Sequence, residues 1–190
     1  MEIKCWDDVL EASEKINTPK EEIARIFNIK SPHEEQLYNK LKEAIAKDDI
    51  AMMWEVLYES PVNSDVEAKA LKFIEVWCIK ELEKILKTFA KGSIDLIWEL
   101  LAISPSKSNA ESKILRAILT HAVAKGDFNM TWRVFDKSPV NSDIRSEILR
   151  AVLTHAVAKD DFNMTWRVFN ASSENSDVRA EALRAMIAIR

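Results

Sequence analysis

Apolar residues recur along almost the whole chain at spacings of three and four, the pattern of helices that bury a stripe or a wider face. Read on that period, the sequence predicts helices near 5–17, 19–29, 32–47, 50–59, 65–91, 94–103, 110–125, 128–137, 143–159, 162–170 and 177–189. No segment sustains the apolar–polar alternation of a half-buried strand. The faces are informative. In 128–136, Phe128, Trp132 and Phe135 share one side, Met130 and Val134 lie on another, and Asn129, Arg133 and Asp136 take the remaining arc. A helix apolar on two sides needs neighbours on two sides. The segment 143–159 is apolar around most of its circumference, through Ile144, Ile148, Leu149, Ala151, Val152, Leu153, Ala156 and Ala158. Its narrow polar arc holds Ser146, Glu147, Arg150 and Thr154.

That pattern repeats. Residues 119–135 read LTHAVAKGDFNMTWRVF and residues 153–169 read LTHAVAKDDFNMTWRVF, an offset of 34 with Gly126 against Asp160 as the one difference. SPVNSD occurs at 60–65 and at 138–143. Trp132 and Trp166 have fainter counterparts in Trp98, 34 residues earlier, and Trp54, 44 before that. The extra 10 residues fall within 65–92 and predict a lengthened or kinked helix. Each unit has a short Trp-bearing helix, a polar loop, and a long helix ending at AKGD or AKDD. Such units bury their apolar faces only against one another, so several must stack. The expected architecture is a single all-α domain over 1–190, a short solenoid of stacked hairpins with about 11 helices. Helices within 1–40 cap its N-terminal end, and repeats of about 34 residues fill 41–189.

Helix starts are marked by capping residues. Ser64 with Glu67 and Ser108 with Glu111 predict capping boxes. Pro19 and Pro32 suit first helical positions, and Asp143 and Asp177 place charge where the helix dipole favours it.

On the polar arc, the equivalents of Ser146, Glu147, Arg150 and Thr154 one unit earlier are Ser112, Lys113, Arg116 and Thr120. One unit later come Glu181 and Arg184, and Lys72 matches further back. With neighbouring helices about 8–10 Å apart, Lys72, Arg116, Arg150 and Arg184 are expected to form a ladder of cations. The alternative is plain surface pairing, Arg150 with Glu147 and Arg184 with Glu181, three apart on one face.

MTWRVFNASSENSDVRAEALRAMIAI resembles a HEAT-type unit, whose second helix opens with Asp, an aliphatic residue and Arg, followed by Ala and Leu at helical spacing. Asp177-Val178-Arg179 with Ala182, Leu183 and Ala185 fits, and Asp143-Ile144-Arg145 with Leu149 and Ala151 fits less closely. The period is also that of tetratricopeptide repeats, but their Trp, Gly and Tyr spacing is missing. The resemblance covers about 41–189. It implies a right-handed α-α superhelix whose second helices line the concave face, so that the ladder would face inward.

Composition narrows the chemistry. Only 2 Gly occur in 190 residues, isolated at 92 and 126, so no phosphate-cradling loop can be written. Cys5 and Cys78 make no disulfide framework and suit a reducing compartment. The acidic start MEIKCWDDVLEASEK is unlike a signal peptide, and no apolar run reaches membrane-spanning length. A cytoplasmic location is expected, with export lacking a cleaved signal left open. Residues 1–95 carry 14 Lys and Arg against 20 Asp and Glu, and residues 96–190 carry 13 against 11. Arg is segregated, with only Arg25 in the first half. This balance disfavours nucleic acid as a partner.

His121 and His155 occupy equivalent positions but lack convergent metal ligands, and His155 is expected to be partly buried and hydrogen-bonded. His33 is expected at an exposed first turn. Trp54, Trp98, Trp132 and Trp166 recur within the apolar stripe and are expected in the core, whereas Trp6 and Trp77 fall outside the pattern. Asp48/Asp49 and Asp160/Asp161 join helix ends to helix starts, where N-capping is the ordinary role. No catalytic constellation, metal or cofactor is expected.

The functional expectation is a non-catalytic scaffold that binds a peptide or helix of acidic character on the concave face. The expected contacts are Lys72, Lys113, Arg116, Thr120, Glu147, Arg150, Thr154 and Arg184. The alternative is a nucleic-acid-binding or base-modifying HEAT-like protein using the Arg ladder. A homo-oligomer through helix 177–189 is a third reading, since Val178, Leu183, Met186, Ile187 and Ile189 have no following unit to cover them.

Overall fold

In this computed structural model the described residues are 3–27, 29–88, 93–140, 142–174 and 176–189. They form eleven helices and no strand: α1 (Trp6–Ile16), α2 (Lys20–Phe27), α3 (Pro32–Lys47), α4 (Ile50–Glu59), α5 (Asp65–Lys87), α6 (Ser93–Ala102), α7 (Asn109–Lys125), α8 (Phe128–Lys137), α9 (Asp143–Ala158), α10 (Phe162–Ala171) and α11 (Asp177–Ile189). The helical period therefore places every element to within a few residues. α5 ends at Lys87, short of the expected 91, and residues 89–91, Gly92 and Asn141 lie outside the described residues. Six or seven of the ten extra residues are taken up as lengthened helix: α5 has 23 residues where α7 has 17 and α9 has 16.

Among the described residues no helix is long and apolar enough to cross a membrane. The contacts gather into two compact units, residues 1–77 and 78–190, whose boundary falls inside α5.

In residues 1–77, α1 and α2 form a hairpin with its own small core of Val9, Ala12, Ile23 and Ala24, against which Ile3, Trp6 and Ile29 pack. α1 starts at Cys5, where the Asp8 carboxylate accepts from the amides of Lys4 (2.8 Å) and Cys5 (3.0 Å). Those bonds hold its pKa below the ordinary Asp value. α3 packs on α4, burying Leu37, Leu41, Ala44, Met53 and Val56, and Lys40 of α3 bridges Glu55 and Glu59 of α4, each at 3.3 Å.

In residues 78–190 each helix packs on the next from α6 to α11, and the long helices also touch in series, α7 on α9 and α9 on α11. The interior is filled by Ile114, Leu115, Ile118 and Leu119 of α7, their counterparts Ile148, Leu149, Val152 and Leu153 of α9, and Val178, Ala182 and Met186 of α11. The near-identical segments thus adopt the same local structure. Asp127 and Asp161 cap α8 and α10, each accepting an amide at 2.9 Å from Met130 and Met164. Asp49 does the same for Met52 of α4 at 3.0 Å. The single sequence difference falls on a left-handed residue, Gly126 with φ 66° and Asp160 with φ 52°, where a Cβ is ordinarily disfavoured.

The caps differ from expectation in one respect. Ser64 and Ser108 accept the amides of Glu67 (3.1 Å) and Glu111 (3.0 Å), as predicted. The carboxylates, however, do not return to the serine amides. They reach one residue further back, accepting from the amides of Asn63 and Lys107. Both of those residues are left-handed, with φ 62° and 59°, a conformation that redirects the N–H toward the first helical turn. The full reciprocal box forms instead at Ser31 and Glu34, with Pro32 opening α3.

Candidate functional site

The polar arcs of α7, α9 and α11 are exposed. Arg116 does not stand free: its Nη2 lies 3.1 Å and its Nε 3.3 Å from the Glu147 carboxylate, one unit further on. This pairing raises the Arg116 pKa above its ordinary value. The alternative pairing of Glu147 with Arg150 within one helix is therefore not formed, nor is that of Arg184 with Glu181, among the described residues. The long arginine reaches across the α7–α9 groove to a better-aligned, two-pronged partner. Among the described residues Arg150 and Arg184 form no ion pair, and both are exposed one unit apart on the adjoining helices α9 and α11.

Lys113 is exposed on α7, and Lys72 is exposed on α5 within residues 1–77. The Thr120 and Thr154 hydroxyls donate to the carbonyls of Arg116 (2.8 Å) and Arg150 (2.9 Å) in their own helices. They can offer a ligand only their acceptor lone pairs.

Among the described residues the remaining arginines of this half are engaged with rings, a role not read from the sequence. The Arg133 guanidinium lies 4.7 Å from the Trp98 ring centre, and Arg167 lies 4.0 Å from that of Trp132. Each thus covers the indole of the preceding unit. Within units, Arg145 lies over Phe135 (4.4 Å) and donates to the Ser138 carbonyl (3.1 Å). Arg179 repeats this over Phe169 (4.1 Å) with the Ser172 carbonyl (3.1 Å). The segregation of Arg is the legible trace of this device, because a planar guanidinium stacks on an aromatic face as an ammonium does not.

The Trp positions divide. Trp132 is buried, and Trp54 and Trp98 are half-buried, each with an enclosed indole N–H lacking a hydrogen-bond partner among the described residues. Trp166 is 49% exposed, which corrects its expected place in the core: among the described residues no guanidinium lies over its ring as Arg167 lies over that of Trp132. Trp6 and Trp77 are half-buried.

Among the histidines, His155 is partly buried but lies against the Phe128 ring, centroids 4.0 Å apart, with no hydrogen bond among the described residues. This corrects its expected hydrogen bond. His33 is exposed and His121 half-buried. Among the described residues no three metal-ligating side chains gather. Cys5 is exposed and Cys78 buried.

An open groove of about 400 Å³ runs between the starts of α9 and α11, lined by Phe135, Val140, Ser142, Asp143, Arg145 and Val178 among others. Its arginine is already held by Phe135 and Ser138, so the groove offers hydroxyls rather than free positive charge.

Residues 1–77 hold a further cationic cluster that the sequence did not disclose. Lys30, Lys69 and Lys42 lie 3.9, 4.5 and 5.7 Å from the Tyr38 ring centre. The Tyr38 hydroxyl and Lys69 both meet Asp65.

No protein-family model, curated protein or solved structure matches this chain.

Proposed function

We propose that the chain is a non-catalytic interaction module, built of stacked helical hairpins in the manner of HEAT-like or tetratricopeptide-like repeats, that binds an acidic segment of another protein along its long-helix wall. The observation that supports this most is the contrast within the row. Arg116 is neutralised by Glu147, whereas Arg150 and Arg184 present uncompensated guanidinium groups one repeat apart. Guanidinium groups fixed on packed helices can grip carboxylates bidentately, with less ordering of the binding wall than a flexible loop requires. Lys113 is a secondary contact in this reading.

The reading is tested with a fluorescent Glu-rich helical peptide, measured by anisotropy against the full chain at low and physiological salt. Binding should weaken at least tenfold in Arg150→Glu/Arg184→Glu. Equal binding by wild type and double variant, or no binding at low salt, would remove the arginine row as the site. Tighter binding of a single-stranded oligonucleotide than of the peptide would favour a nucleic-acid partner instead.

A further inference from the structure

Arg116 and Glu147 stand 31 residues apart on the neighbouring helices α7 and α9, and Arg150 and Glu181 stand 31 apart on α9 and α11. α7 packs on α9 as α9 packs on α11. The same two residue types therefore occupy the same positions of the unit beside both seams. Across the first they are joined, with Nη2 at 3.1 Å and Nε at 3.3 Å from the carboxylate. Across the second, among the described residues, no ion pair forms. The bridge is thus optional to the packing: one seam closes with it and the next without it. Both its partners are exposed, and water and salt hold the worth of such a pair to no more than about fivefold in an equilibrium constant.

We propose that Glu147 is the specificity-determining residue of the arginine row: it occupies Arg116 as a ligand carboxylate would, so that the row offers Arg150 and Arg184 but holds Arg116 back. The role rests on the reading of the row as a site for an acidic segment. Two N–H groups of one guanidinium on one carboxylate is also the geometry that a partner's acidic side chain would take up. A partner with an acidic group beside Arg116 has to displace Glu147 and then meets its released charge, which repels it. A partner with two acidic groups, spaced by the distance between neighbouring helices, about 8–10 Å, meets Arg150 and Arg184 without that competition. Glu147 thereby selects the spaced pattern over a uniformly acidic one. Asp143, four residues earlier on α9, adds its field to Arg116 without a hydrogen bond among the described residues, so Glu147 is the residue that fixes the guanidinium.

The probe is the Glu-rich helical peptide, acidic throughout, measured by anisotropy at low salt. It is titrated against the full chain and against Arg116→Gln, Glu147→Gln and the double substitution. Circular dichroism checks that all four proteins are equally helical, as expected for substitutions at exposed positions. Glu147→Gln should bind about three- to fivefold tighter than wild type. Arg116→Gln should weaken binding by less than about twofold in wild type, where the guanidinium is held, but should remove the whole gain in the Glu147→Gln background. A long-range effect of net charge alone would instead make Arg116→Gln equally costly in both backgrounds.

Two results would overturn the proposal while leaving the arginine row as the site. One is Glu147→Gln binding no tighter than wild type. The other is Arg116→Gln costing the same with and without Glu147. An absence of binding by wild type at low salt would remove the row itself, and the role of Glu147 with it.

Discussion

Residues 119–135 and 153–169 differ at one position in 17, yet their side chains have different surroundings. Trp132 meets Phe135 edge-on, at 76° and 5.4 Å, beneath a guanidinium; Trp166 stacks beside Phe169 at 17° and 5.6 Å and is half-exposed. Local sequence determines the helix, its cap and its apolar stripe. Which stripe becomes core depends on what arrives from the next unit.

The sharpest way to break this comparison is to truncate the same residue type twice. Trp132→Ala should destabilise by about 3–5 kcal/mol and Trp166→Ala by about 1 kcal/mol, measured by urea denaturation. Similar costs would mean that the two indoles are equally packed in solution. The aliphatic pair should behave alike: Leu153→Ala is expected to cost about 2–5 kcal/mol, and Ile187→Ala to fall within about 0.5 kcal/mol of wild type.

The one sequence difference gives a smaller effect of opposite sign. Gly126→Ala should lose about 1 kcal/mol through strain alone, because the added Cβ meets nothing within 4 Å, and Asp160→Gly should gain about 0.5–1 kcal/mol. Thermal melts of both variants check the sign. Smallest is the Arg116–Glu147 link, whose partners are 47% and 44% exposed. A double-mutant cycle should return a coupling of about 0.2–1 kcal/mol that shrinks in high salt.

Helix positions were legible because 3.6-residue periodicity and capping chemistry are local; Asp49 and Asp161 cap as their placement between helices implied, and Asp127 does the same in the unit between. The polar row was legible as a face, since Arg116, Arg150 and Arg184 are all exposed on long helices. The choice of ion-pair partner was not legible. Glu147 is near Arg150 along its own helix, but Arg116, 31 residues away in sequence, approaches it across a helix–helix groove. The stacking roles of Arg133, Arg145, Arg167 and Arg179 were hidden for the same reason, as each depends on a ring brought near by tertiary packing. The exposure of Trp166 was the converse case, a core-type residue left half-exposed among the described residues.

The covering arginine follows its own unit's tryptophan directly, Arg133 after Trp132 and Arg167 after Trp166. A gene that duplicates this 34-residue block therefore adds one cation that shields the previous indole and one indole that needs shielding. In the series described, Trp98 and Trp132 are shielded in this way and Trp166 is not. Growth by duplication can lengthen such an array without redesigning its inner seams.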